Sequence, residues 1–205
     1  MSRQGPIGLS EEQTDLLELA AQYCSDKSPI ETVRRLIEDE VGYDPAVFAE
    51  MAELGWLGIA VPEAYGGAGL ELAEVVPVVE QMGRNLMGGP FLSTTLAAQA
   101  LLTGGAEAQK SQVLPKLVAG APAALALMER HADWDPGHIE CRAKPRGAEL
   151  ALSGTKTLVV DGEAAHCILA WVILEGSPAL VLLDSEAIAE CVRRPETVID
   201  ETRRW

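Results

Sequence analysis

The hydrophobic period of this chain changes once, near Gly120, and nothing else in the sequence narrows its architecture as much. Before that point apolar residues recur at helical spacing, as at Leu16, Leu17, Leu19, Ala20 and Tyr23, which mark one face. After it, "AALALM", "HIECRAKP", "AELALSG", "TKTLVV", "HCILAWVIL" and "ALVLLD" are short runs bounded by Gly, Pro or Asp, the pattern of strands. Helices first and strands second, without strand–helix–strand alternation, argue against a doubly wound sheet and predict an α+β chain. The expected division is an all-α helical bundle over residues 1–120 and an incomplete β domain over 121–205.

Local signals divide the helical part into six segments. Ser10 and Gln13 form a capping box ahead of a first helix that ends near Ser25. Pro29 suits the first turn of a second, and Asp44-Pro45 opens a third that Gly55 stops. "ELAEVVPVVEQMGRN" keeps helical spacing but carries Pro77, which removes a donor and predicts a bend or local break. The fifth segment is expected to be capped by Ser93 or Thr94, and the sixth to end at Gly120 with a kink at Pro115. In the β part, "LSGTKTLVVDG" reads as strand, turn, strand. Its second arm has three successive apolar residues, Leu158, Val159 and Val160, so both faces of that arm need cover.

Charge and cysteine usage exclude several function classes. Acidic residues number 31 against 16 basic ones, a formal net charge of −15 that repels nucleic acid and anionic lipid. The four cysteines form no Cys-x-x-Cys pair and have no histidine at ligand spacing, so neither zinc nor a disulfide framework is predicted. The N-terminal stretch lacks an apolar signal region, and the most apolar segment is broken by Glu175, Gly176 and Pro178. No membrane association and a cytoplasmic location are expected. The end of the sequence at "DETRRW", with a tryptophan after an unfinished sheet, reads as a cut within a longer protein.

Isolated polar residues point to structure before chemistry. His131, His138 and His166 have no paired spacing, so surface or packing roles outweigh catalysis. "HADWDPGH" gathers Asp133, Asp135 and two histidines, but neighbours in a loop rarely reach one ion without a supporting shell, so no metal is assigned. Trp134 in the same loop is expected to pack, with a lid or interface anchor as the rival role. Gly66, Gly67 and Gly69 lack a following Lys-Ser/Thr and read as a turn, not a phosphate cradle.

"LGWLGIAVPEAYGGAG", "VVEQMGRNL", "EAQKSQVLPKLVAGAPAALALME" and "LSGTKTLVVDGEAAHCIL" occur in an order that resembles the acyl-CoA dehydrogenase family. The resemblance covers most of residues 10 to 190. It implies a helical domain, a β-barrel-like domain and a second helical bundle, of which only the first two are expected in this chain. It also implies FAD as cofactor and an acyl-CoA thioester as substrate. In that chemistry a carboxylate removes the α-proton while the β-hydrogen leaves as hydride to the flavin. The base belongs to the family's last bundle, so no catalytic residue is expected in this chain. The implied partners are a homologous subunit or a second copy.

Where family members end a strand in Thr-Glu-Pro against the flavin, this chain has Met128-Glu129-Arg130, following Leu127. A glutamate at a strand end reads first as a solvated edge. Where they show Lys-x-aromatic-Ile-Thr-Asn-Gly, Lys156, Asp161 and Gly162 keep the frame, Leu158 replaces the aromatic residue and Val160 the threonine. Leu127, Met128, Glu129, Leu158 and Val160 are therefore the candidate cofactor-binding residues, with the polar grip on FAD depleted. The resemblance implies dehydrogenation of an acyl-CoA, with this chain as a flavin-depleted subunit of a heteromeric enzyme. The alternatives are a non-catalytic structural partner, or a flavin oxidase or desaturase on the same scaffold.

Overall fold

The computed structural model describes residues 8–130, 135–147 and 149–205. His131, Asp133 and Trp134, and with them the metal and lid readings of that loop, lie outside the described residues.

Six helices come first. In α1, Glu11–Lys27, Ser10 Oγ accepts from the Gln13 amide at 3.1 Å and Gln13 Oε1 accepts from the Ser10 amide at 3.1 Å, the expected capping box. α2, Ile30–Glu38, starts after Pro29, and α3, Pro45–Glu53, starts where the Asp44 side chain accepts from the Ala46 amide. Pro77 marks a junction and not a bend inside one rod. A short 3-10 turn, Leu72–Val75, ends there, and Pro77 sits in the first turn of α4, Val76–Arg84, where its missing N–H needs no partner. α5, Phe91–Gly104, begins ahead of the expected caps, so Ser93 and Thr94 lie inside the helix and are buried. Phe91, fully buried, pulls the start of the helix into the core. α6, Glu107–Val118, holds Pro115 within it.

The sheet is built on one central strand. β1, Ala123–Ala126, and β2, Arg142–Arg146, both run parallel to β4, Cys167–Leu174; β1 pairs with its first half and β2 with its last residues. β3, Glu149–Ser153, pairs antiparallel with β2, and β5, Ser177–Leu183, pairs antiparallel with β4 along its length. Glu175 and Gly176, both at positive φ, make the tight turn between β4 and β5. A short α7, Ser185–Ala189, which the periodicity does not reveal, packs Ile188 under β4 and β5; its signal is Asp184, whose side chain accepts from the Ala187 amide at 2.9 Å.

The expected strand "TKTLVV" does not form. Leu158 and Asp161 have φ of 51° and 56°, left-handed values that no strand accommodates. The hairpin at this point is instead β2 with β3, and residues 155–162 leave the sheet as an irregular segment.

Helices and sheet share apolar contacts. One cluster joins Ala97, Leu101, Leu114 and Leu117 to Ala123, Cys167 and Leu169 across the boundary. Thr94 Oγ1 accepts from the Ala123 amide at 3.0 Å in the same place. Among the described residues, no helix is long and apolar enough to cross a membrane.

Candidate functional site

The structure brings the five candidate residues into one wall. Residues 156–160 fold back beside the end of β1, where the Thr157 amide donates to the Met128 carbonyl at 3.0 Å. Lys156 Nζ donates to the Leu127 carbonyl at 3.2 Å and to Glu129 Oε1 at 2.6 Å. Leu127, Met128, Leu158 and Val160 are each half-buried, and Val159 packs onto the sheet core.

Glu129 is not a solvated edge. Its side chain is 10% exposed and that of Lys156 11%. Burial alone would push the carboxyl up, but the Lys156 ammonium and the amides of Cys141 and Glu140 outweigh it and hold Glu129 at about 2. Every strong acceptor on this carboxylate is thereby used inside the protein. The neighbouring Cys141 thiol is pushed up to about 11, chiefly by burial and then by its hydrogen bond with Glu129, so it is not a thiolate nucleophile. All four cysteines are free, with Cys191 alone exposed.

The segment after α7 covers part of the wall. Glu196 Oε1 accepts from the Thr157 hydroxyl at 2.5 Å and from the Leu158 amide at 3.1 Å. The Asp161 amide donates to the Arg204 carbonyl at 2.8 Å, and the Glu196 amide to the Trp205 carbonyl at 2.9 Å. Asp161 itself is buried: its Oδ2 accepts from Ser93 Oγ and from Arg203 Nη2, each at 2.7 Å. Sequence reasoning missed Glu196 and the role of Asp161, since nothing local joins position 161 to 93 or 203. Trp205 is half-buried.

The candidate apolar side chains of this wall do not fit the polar edge of a flavin. Leu127, Met128, Leu158 and Val160 carry no side-chain donor. The amides of Thr157, Leu158, Asp161 and Gly162 are all engaged within the chain. Among the described residues, the buried side-chain donors without a hydrogen-bond partner, Arg203 Nε and Trp205 Nε1, belong to the covering segment. Elsewhere, Gly67 serves a turn: a Cβ there would stand 2.0 Å from the Val61 carbonyl oxygen. A shallow depression of about 620 Å³ beside that turn, lined by Glu63, Tyr65 and Lys110 among others, does not include the wall.

Residues 10–121 match the family model described as acyl-CoA dehydrogenase, N-terminal domain. Acyl-CoA dehydrogenase IpdE2 of Mycolicibacterium smegmatis is 39% identical over 114 residues, which are 55% of this chain and 35% of that protein. Among solved structures, the Tcur3481-Tcur3483 steroid ACAD G363A variant superposes with a TM-score of 0.78 at 33% identity, covering 86% of this chain and 48% of that one. An acyl-CoA dehydrogenase of Bacillus anthracis complexed with FAD has a TM-score of 0.84 at 22% identity, covering 98% of this chain and 35% of that one, a likeness of fold. The chain thus spans less than half the length of these proteins.

Proposed function

The chain belongs to the acyl-CoA dehydrogenase family, and from that premise we propose that it serves α,β-dehydrogenation of an acyl-CoA as the flavin-depleted subunit of a heteromeric enzyme. The observation that carries this reading is the wall itself. Where a flavin would need donors, Leu158 and Val160 offer hydrocarbon, and the amides of Thr157, Leu158, Asp161 and Gly162 are closed by Met128, Glu196, Arg204 and Val159. A buried cofactor atom left unpaired there would lose about 1–3 kcal/mol, or roughly one to two decades in affinity. The two-part name of the steroid ACAD neighbour also supports a heteromer. In this reading, the sheet region supplies an apolar side to an acyl pocket, and the redox centre and catalytic base are on other parts of the assembly. The helical region over 1–120 and the sheet region over 121–205 act as its two units.

The test is spectroscopic. The full-length protein purified alone is expected to be colourless. Mixed with a flavin-bearing homologue, it is expected to support bleaching of flavin absorbance on addition of acyl-CoA. A protein that is yellow alone, with one FAD per chain bleached by acyl-CoA, overturns the proposal.

A further inference from the structure

Residues 202–204 lie in a groove of the helical region that is shaped to receive them. A Cβ on Gly88 would stand 2.4 Å from the Thr202 carbonyl oxygen, and one on Gly42 would stand 2.5 Å from Arg204 Nε. Gly42 has φ of 77° and so a backbone reason of its own to be glycine. Gly88 does not have positive φ, which leaves the close approach of Thr202 as the need its missing side chain meets.

Two arginines fasten the segment at separate points. Arg204 Nη2 donates to the carbonyls of Leu36 at 2.9 Å and Ile37 at 3.0 Å, and also to that of Asp39, at the C-terminal end of α2. Leu36 and Ile37 lie in the last turn of α2, where carbonyls lack the usual i+4 amide and the dipole favours a cation, although the Leu36 carbonyl also accepts from the Asp39 amide at 3.3 Å. Arg203 pairs with the buried Asp161, which also holds Ser93 in the first turn of α5. The backbone closes the loop: the Asp161 amide donates to the Arg204 carbonyl.

We infer that Thr202–Arg204 is an interdomain latch, which locks the wall segment 156–162 of the sheet region onto α2 and α5 of the helical region. The sheet ladder cannot do this, because the wall lies outside it. Arg203, Arg204 and Asp161 are positioning residues: they set where the wall stands relative to the helices. The inference does not depend on what the wall binds.

Hydrogen–deuterium exchange on the full-length protein tests it with two variants. Gly88→Ala pushes the segment out without removing a polar group. Asp161→Asn removes the charge while keeping a residue that tolerates left-handed φ. Each is expected to speed exchange about tenfold or more in the segments 36–42, 91–95 and 156–162 together, with α6 and β5 unchanged. Faster exchange confined to 200–205 overturns the latch. So does an equal rise throughout α6 and β5 in both variants, which would mean general loss of stability and no specific lock.

Discussion

A carboxyl buried beside one ammonium and two amides couples the wall to pH. Glu129 is held at about 2, against an ordinary 4.5. A carboxyl with a lowered folded-state value stabilises the protein fully above about pH 4.5, and the contribution fades as pH falls toward 2. The shift corresponds to on the order of 3 kcal/mol. Glu129→Gln is therefore expected to flatten the loss of stability across that window, as followed by urea denaturation at several pH values; an unchanged slope removes Glu129 from the acid transition. Two residues away from its partner Lys156, Leu158 presents an amide taken by Glu196, and Val160 lacks a hydroxyl. Val160→Thr with Glu196→Ala restores one donor and frees another. The expected gain in FAD affinity of the full-length protein is about tenfold to a hundredfold, and titration showing none would take the wall away from any flavin.

Among the elements, α5 ties the two regions most directly. Its Thr94 hydroxyl accepts from the Ala123 amide in a buried setting. Thr94→Val keeps the volume but leaves that N–H unpaired, at a cost of about 1–3 kcal/mol; a change in urea midpoint too small to correspond to such a loss would show the bond to be dispensable. The helix starts were legible where a cap acts locally, as at Ser10 and Asp44. The start of α5 was not, because burial of Phe91 extends the helix past the hydroxyls that resemble caps. "TKTLVV" has strand composition, yet its Thr157 and Leu158 amides bond to Met128 and Glu196, distant partners that no window of sequence contains. α7 shows the reverse case, a short helix announced only by its Asp184 cap.

At the scale of the whole molecule, a net charge of −15 makes self-repulsion the main long-range electrostatic force on the fold. Exposed pairs such as Arg84 with Glu80 contribute at most about 1 kcal/mol each, whereas Lys156–Glu129 is shielded from solvent. Raising salt from about 0.01 M to about 0.15 M shortens the screening length from about 30 Å to about 8 Å. The thermal midpoint is expected to rise; a fall would show that exposed pairs outweigh the repulsion. The switch from helices to strands near residue 120, the family motifs and the missing polar residues at 158 and 160 were all determined by the sequence alone, since periodicity, turn chemistry and residue identity act within a few positions. The wall, its buried ion pair, and the latch that joins Asp161 to Ser93 and Arg203 were decided only by the tertiary structure. They depend on which distant groups compete for the same hydrogen bonds once water has been excluded, and that competition exists only in the folded chain.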